Sequence, residues 1–242
     1  HMGTISIAWS VALRKFGVEA YVPPYTSKKT LSLGVKNSPE AVCLPYKLIL
    51  GNFIEAIEGG TDYVAMLTSP GCCRLGVYGL NIQSALADLG YEAKYLELSL
   101  YDGIKGLFKF FHDLLGRDDW FAAAKASVMM IRMVFALDDL ETLLAYYRAR
   151  EVKVGEAERH YNKCLNMYKE VKHFGDINKI RKAVKKEMAK TEIDKKREIL
   201  NVDITGEIYL VGDPVSNQYI ERELGKMGVQ TRRSLTVSSF LK

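Results

Sequence analysis

Several features that mark particular protein classes are scarce in this chain. It has only four cysteines among 242 residues, too few for a disulfide framework, so a reducing cytoplasm is the expected compartment. It has no uninterrupted apolar run of the roughly 18 to 20 residues that crosses a bilayer, and no membrane span is predicted. P-loop, G-x-S-x-G and G-x-G-x-x-G motifs are also lacking, which leaves nucleotide binding and serine hydrolysis without support.

What is present is the composition of an ordinary folded protein. Hydrophobic residues make up 48% of the chain and charged residues 26%, which excludes disorder, collagen and coiled coil. The net charge of +5 is concentrated in residues 148–198, where 16 basic residues stand against 9 acidic ones. This excess is compatible with an anionic partner, but it is too mild to favour nucleic acid.

The order of the predicted elements is typical of a parallel α/β protein. Three times a helical pattern ends at a glycine and a strand pattern follows, over 5–16 with 18–22, 78–89 with 91–98, and 216–227 with 229–232. Further patterns predict a helix over 45–57 and strands over 62–67 and 207–210. The predicted fold class is therefore α/β, with a Rossmann-like (flavodoxin-like) parallel sheet.

Three parts are expected along the chain. Residues 1–101 form a first Rossmann-like domain with the cysteine loops, residues 102–203 form a mostly helical insertion, and residues 204–242 begin a second α/β half. The chain opens on a helix, and its last β-α-β unit is too short to bury a core alone, so we expect material to be lacking at both ends. Alternatively, the last unit adds extra strands to the first sheet.

Two loops with cysteines form the candidate site. Cys43 directly precedes a helix, where free backbone N–H groups and the helix dipole favour a thiolate, and Lys47 adds a cation. Cys72 and Cys73 follow a predicted strand, and Arg74 supplies positive charge beside them. Because both loops would follow strands of one parallel sheet, their thiolates would converge at the same edge.

Converging thiolates suit either an iron–sulfur cluster or zinc. The chain has no C-x-x-C pair and its four histidines have no ligand-like spacing, so buried apolar cysteines are an alternative. Cys164 lies on a charged amphipathic helix and is expected to be a half-buried helix residue. Three functions stay open from these residues: a redox centre, a zinc or thiol regulator, and an accessory module whose basic helices dock a partner protein.

Short motifs surround the two cysteine loops. This first group comprises Lys28-Lys29-Thr30-Leu31-x-x-Gly34, Ser38-Pro39-Glu40-x-x-Cys43-Leu44-Pro45-x-Lys47, Gly51-Asn52-x-Ile54-Glu55-Ala56 and Gly71-x-Cys73-Arg74-x-Gly76-x-Tyr78. A second group of motifs follows the helical segment, at 206–209, 217–221 and 233–235. In these motifs the chain resembles the acyl-CoA dehydratase activase-related family, or CoA-substrate-specific enzyme activases. That family is related to the iron–sulfur subunits of 2-hydroxyacyl-CoA dehydratases and benzoyl-CoA reductases.

The resemblance implies an oxygen-sensitive iron–sulfur cluster, [4Fe–4S] or double-cubane, between two Rossmann-like halves. Cys43 and Cys73 would be ligands, Cys72 would be a spare or substitute thiol, and Arg74 and Lys47 would lie beside the cluster. A further family cysteine would lie beyond the last residue of this chain, which leaves the ligand set incomplete.

The resemblance also implies a reaction partner. A separate ATP-hydrolysing activator would deliver a low-potential electron, which the cluster would pass to a difficult substrate, an acyl-CoA in the relatives. This chain lacks the activator's phosphate-binding glycine loops and therefore resembles the electron-accepting component. A homodimer or a second subunit is a further expected partner.

Overall fold

The structure is a computed structural model that describes residues 3–22, 25–68, 74–99 and 101–241. It is a mixed α/β protein with more helix than strand and two small parallel sheets. In chain order its helices and strands are α1 Ile5–Arg14, α2 Lys28–Lys36, α3 Leu44–Glu58, β1 Tyr63–Thr68, α4 Tyr78–Asp88, β2 Lys94–Ser99, α5 Gly103–Leu115, α6 Trp120–Arg150, α7 Glu156–Lys169, α8 Phe174–Met188, β3 Leu200–Ile204, α9 Ile208–Gly212, α10 Ile220–Lys226 and β4 Val229–Arg233. Short 3₁₀ helices span Arg74–Val77 and Val237–Leu241.

The described residues divide into two compact units. The first unit covers residues 25–125, and the second covers residues 3–22 and 126–241. Helix α6 begins in the first unit and continues in the second. These units are groups of residues that lie close together in space. The division of the chain into three parts at residues 101 and 203 stays a prediction.

In the first unit, β1, α4 and β2 form a strand-helix-strand crossover. The two strands are parallel, in register from Tyr63 opposite Lys94 to Thr68 opposite Ser99. Alternate residues of β1, beginning with Val64, are buried, as expected for a strand with one covered face. Helix α5 follows β2 closely, and Gly106 permits this because a Cβ there would lie 2.1 Å from the carbonyl oxygen of Ser99.

Helices α2 and α3 pack backbone against backbone through two glycines. A Cβ on Gly34 would lie 1.7 Å from the carbonyl oxygen of Lys47, and one on Gly51 would lie 2.0 Å from that of Thr30. Thr30 also completes a capping box with Ser27 and donates a hydrogen bond to Glu55. These positions of the 28–34 and 51–56 motifs therefore serve helix packing.

The second unit has a helical core. Apolar side chains of α1, α6, α7 and α8 meet there, and they include the fully buried Met133, Leu137, Tyr168 and Met188. Burying such side chains is worth about 1.5–3 kcal/mol each. This core explains the apolar pattern of these helices. The prediction that residues 102–200 are mainly helical is confirmed, because α5, α6, α7 and α8 lie in that range.

Helix α6 is long and apolar. By length and composition it could cross a membrane: it has 31 residues, and its most apolar 18-residue window has a mean hydropathy of 1.5. Lys125 and Arg132 interrupt its apolar sequence, so the chain still has no uninterrupted apolar run of that length, and the absence of a membrane span stays a prediction. Within the protein, 39% of that window is buried, and Met129, Leu137 and Leu140 contribute to the core of the second unit, so these apolar residues have a packing role.

A part-buried ion-pair cluster joins three elements of the second unit. Arg233 at the end of β4 contacts Glu141 of α6 and forms a bidentate pair with Glu221 of α10, at 2.5 and 3.0 Å. Thr4 donates a further hydrogen bond of 3.1 Å to Glu141. Glu221 and Arg233, which both belong to the second group of motifs, therefore have a structural role in this unit.

Several sequence predictions are confirmed, with small shifts at their ends. Helices were expected over 5–16, 45–57 and 78–89, and α1, α3 and α4 lie there. The strands predicted over 62–67, 91–98 and 229–232 correspond to β1, β2 and β4. The predicted glycine stops also hold: Gly17, Gly90 and Gly228 have positive φ angles, which favour glycine because it lacks a Cβ.

Three predicted elements are wrong or shortened. Residues 18–22 form no strand, and Val22 instead packs on the helical core of the second unit. Residues 207–210 begin α9, because the Glu207 side chain accepts the Leu210 N–H and caps a helix. The helix predicted from residue 216 begins at Ile220, after Tyr219 at a φ of 57°.

The strands of the second unit form a sheet of their own. β3 and β4 pair with each other in parallel, and among the described residues neither extends the β1–β2 sheet. The alternative in which the last unit adds strands to the first sheet is therefore wrong.

Candidate metal centre

Cys43 is the first predicted ligand of the candidate site along the chain. It is the N-cap of α3, in an extended conformation with φ −66° and ψ 152°, and Pro45 lies in the first turn of that helix. Its side chain is partly exposed and forms no disulfide. The prediction that Cys43 stands just before a helix, with a proline in its first turn, is confirmed.

Cys43 does not follow a strand as expected. It follows α2 and a short connection, and none of the described residues before it forms a strand, since residues 18–22 have no regular structure. The shared edge of a parallel sheet therefore does not place Cys43. The close packing of α2 on α3 at Gly34 and Gly51 positions Cys43 instead, because it holds the start of α3 within the first unit.

The structure nevertheless brings Cys43 next to the helix that follows the second cysteine loop. The sulfur of Cys43 lies 2.5 Å from the phenol oxygen of Tyr78. Tyr78 is the first residue of α4 and stands five positions after Cys73 in the sequence. The Tyr46 ring packs edge-on against the Tyr78 ring, with centroids 5.2 Å apart.

The two predicted cations occupy different surroundings. The Lys47 ammonium donates a 2.9 Å hydrogen bond to the carbonyl oxygen of Glu40 and so ties the loop before Cys43 to α3. Arg74 begins the 3₁₀ helix that leads into α4, and its side chain is exposed. Lys47 therefore has a structural partner, whereas Arg74 is accessible to an anionic group.

The remaining predicted ligands, Cys72 and Cys73, lie outside the described residues. Within the described ranges, no group of three or more His, Cys, Asp or Glu side chains could hold a metal ion. Cys43 is thus the one predicted ligand whose surroundings the structure gives.

Cys164 belongs to a different part of the molecule. It lies on α7 in the helical core of the second unit and is completely buried, not half-buried as expected. Burial, together with the charge of Glu187, raises the pKa of its thiol to about 11. A neutral thiol in an apolar core packs as a small hydrophobic side chain, so Cys164 serves the core.

Tyr78 and Tyr46 are the residues whose role at this site the sequence did not reveal. Both are buried, with 4% exposure each. Aromatic residues at helical positions are usually core residues, and the sequence alone predicts that role for Tyr78. Its contact with the Cys43 sulfur is apparent only from the structure. The available signal was that Tyr78 falls within the 71–78 motif.

No family model, curated protein or solved structure matches this chain. The resemblance described above therefore stays a prediction.

Proposed function

We propose that this chain is an iron–sulfur protein of the 2-hydroxyacyl-CoA dehydratase-like kind. In this proposal it accepts a low-potential electron from a separate ATP-hydrolysing activator and passes it to a difficult substrate. It acts in the cytoplasm, with a second copy or a second subunit as its partner. The resemblance of its motifs to the acyl-CoA dehydratase activase-related family is the origin of this proposal.

The observation that supports it best is the contact between Cys43 and Tyr78. This contact holds the Cys43 sulfur beside the first turn of α4, which directly follows the 69–73 segment and the short 3₁₀ helix. The sequence places two further thiols five and six positions before Tyr78, and a thiolate-bound cluster needs several such side chains. The strand-helix-strand unit β1–α4–β2 is also the repeating unit of Rossmann-like sheets.

The donor set fits such a cluster in part. Cubane clusters are held by about four thiolates, and the region from residue 43 to residue 73 contains three cysteines. Cys164 is excluded as the fourth because it is buried in the core of the second unit. The fourth ligand of the cluster would therefore come from outside these three cysteines.

The residues of the chain have distinct roles in this proposal. Cys43, Cys73 and Cys72 would hold the cluster, which supplies one-electron transfer at low potential when bound. The exposed Arg74 would offset the negative charge of cluster and thiolates, because hydrogen bonds and nearby charge tune such centres. Lys47 would keep the loop before Cys43 in place through Glu40.

Anaerobic purification of the 242-residue chain with iron and sulfide analysis tests the proposal. We expect a brown protein that absorbs near about 400 nm and holds about four or more irons per chain. The double variant Cys43→Ser, Cys73→Ser should lose this iron, whereas the control Cys164→Ser should keep it. Full iron in the double variant would contradict the proposal.

A colourless protein would favour the alternative function, a non-catalytic docking module with structural cysteines. A colourless protein that holds one zinc per chain would indicate a zinc-bound regulator instead.

A further inference from the structure

Helix α6 has apolar side chains on two opposite sides. On one side, Met129, Met133 and Leu137 are buried in the helical core. The other side is exposed, and it carries the large apolar residues Trp120, Phe121, Val128 and Ile131, which we call the outer strip. At 3.6 residues per turn these positions fall within an arc of about 100°, so they form one continuous surface. A helix that is apolar on both sides is normally covered on both.

The two aromatic residues of the outer strip are far more accessible than a packing role requires. Trp120 is 57% exposed and Phe121 is 72% exposed. The Trp120 ring packs on the Phe108 ring of α5, with centroids 3.8 Å apart, so it is held in place while much of its surface stays in water. Exposed apolar side chains that lie together in this way mark a contact surface.

The charge along the outer strip is positive. Lys125 and Arg132 are exposed and lie within about 40° of Phe121 around the helix, along one edge of the strip. The Lys125 ammonium is 3.9 Å from the centroid of the Phe121 ring. No acidic residue occurs from 120 to 137, and Asp119 before this range is engaged as a cap, because it accepts a backbone N–H of the first turn.

This combination matches the surface of an anionic membrane better than it matches a second protein. Aromatic side chains insert at the boundary between head groups and acyl chains, while Lys and Arg contact the anionic head groups. Residues 120–132 offer a face about 20 Å long and about 10 Å wide. That area is far below the roughly 800 Å² per partner of a stable protein interface, whereas membrane binding needs only a few apolar and basic side chains.

We propose that the outer strip of α6 binds the surface of an anionic lipid bilayer, with the helix lying in the plane of the interface. Met129, Met133 and Leu137 on the opposite side would have to leave the core if α6 crossed the bilayer, so peripheral binding agrees with the predicted absence of a membrane span. The cytoplasmic leaflet carries the anionic lipids that this surface requires. The inference goes beyond the proposed iron–sulfur function and does not depend on it.

Co-sedimentation of the 242-residue chain with lipid vesicles tests the proposal. Vesicles of phosphatidylcholine with about 30% phosphatidylserine are compared with pure phosphatidylcholine vesicles at about 0.1 M salt. The variants Phe121→Ser and Lys125→Gln have matched controls outside α6, Met227→Ser and Lys182→Gln. Met227 and Lys182 are both exposed, so each control removes the same kind of side chain from another part of the surface.

We expect the wild-type chain to bind the anionic vesicles, to bind the neutral ones much more weakly, and to dissociate as the salt concentration rises. Phe121→Ser should lower the partition coefficient about tenfold, and Lys125→Gln should lower it about fivefold. Both controls should bind like the wild type. Tryptophan emission should shift to shorter wavelength on binding, and Trp120→Phe should lose most of this shift.

The unfolding temperature of each variant shows whether its fold is intact, and Val128→Ser provides a second apolar test within the strip. A wild-type chain that does not bind the anionic vesicles would overturn the proposal. Unchanged binding of both Phe121→Ser and Val128→Ser would place the contact elsewhere and would overturn it as well.

Two further outcomes would also contradict the proposal. Equal losses in Lys125→Gln and Lys182→Gln would show that the net charge of the protein, and not the outer strip, attracts the vesicles. Dimers in sedimentation equilibrium that Phe121→Ser abolishes, together with an absence of vesicle binding, would assign the strip to a second copy of the chain.

Discussion

Gly34 of α2 lies directly against the carbonyl oxygen of Lys47 in α3, at a distance that leaves no room for a side chain. A Cβ at Gly34 would come within 1.7 Å of that oxygen. The glycine thus permits the closest approach of the two helices. Gly34 also belongs to the 28–34 motif beside the candidate site, where glycine is needed because only it lets α2 and α3 pack this closely.

Replacing Gly34 by alanine should therefore destabilise the protein strongly. The obstacle is backbone, which cannot rotate away, so α2 and α3 must separate. We expect a loss of about 3 kcal/mol or more in the free energy of unfolding, at the upper end of overpacking substitutions. Urea denaturation at neutral pH measures this.

The matched control is Gly175→Ala in α8. A Cβ there would have no neighbour within 4 Å, so the change should be neutral or stabilising by up to about 1 kcal/mol. Similar free energies of unfolding for the two alanine variants would contradict the packing role of Gly34.

Arg233 should be essential for the stability of the second unit. It pairs with Glu141 and Glu221 and is only 15% exposed at its side chain. Burial raises the pKa of Glu141, and the Arg233 charge offsets part of this effect. Arg233→Met would leave the part-buried carboxylates of Glu141 and Glu221 without their cation, and we expect it to lower the free energy of unfolding by about 3–5 kcal/mol.

The neighbouring Arg232 provides the control. It pairs with Asp203 but is 77% exposed at its side chain, so Arg232→Met should change the free energy of unfolding little. Adding Glu141→Gln to Arg233→Met should recover part of the loss. If the second substitution made the protein still less stable, unpaired charge would not be the cause.

The stability of the helical core should depend on acid pH through Glu187. Hydrogen bonds from Lys190 and His160 lower the pKa of this carboxyl from its usual 4.5 to about 2. A carboxyl whose pKa is lower in the folded than in the unfolded state stabilises the fold above pH 4.5 and loses that contribution as the pH falls towards 2. Glu187→Gln should therefore be less stable than the wild type at neutral pH and approach it near pH 2.

Denaturant titrations of both proteins across this pH range check the sign. The exposed Glu170 gives the control variant, Glu170→Gln, which should differ little from the wild type at any of these pH values. A constant difference between Glu187→Gln and the wild type would show that this carboxyl does not carry the acid dependence.

Arg74 should influence the proposed cluster through its charge. Because it is exposed at the start of the 3₁₀ helix that follows Cys73, we expect Arg74→Ala to reduce iron retention or to lower the reduction potential. Anaerobic iron analysis and redox titration measure both quantities. An unchanged iron content with an unchanged potential would remove Arg74 from the site.

The two described cysteines should differ in their reaction with alkylating reagents. In the native, metal-free protein at about pH 8, the partly exposed Cys43 should be modified and Cys164 should stay unmodified, because only accessible thiolates react readily. Mass spectrometry of tryptic peptides reports each site. In urea all four cysteines should react, and fast modification of native Cys164 would contradict its place in the core.

The amino-acid sequence by itself determined the local structure wherever a short-range cause was strong. Helix α1, the start of α3 at Cys43 and the glycine stops at Gly17, Gly90 and Gly228 were predictable, because periodicity, a proline in the first turn and positive φ act within a few residues. The α/β character and the helical middle segment followed from the same signals.

Only the tertiary structure decided which elements pair and which side chains meet. Residues 18–22 have a strand-like pattern but no pairing partner in the described chain, so they form no strand. The contact of Cys43 with Tyr78 joins residues 35 positions apart. The Arg233 pair with Glu141 spans 92 positions. Such partners are chosen by packing of whole helices and strands, which no local pattern encodes, and the burial of Cys164 has the same origin.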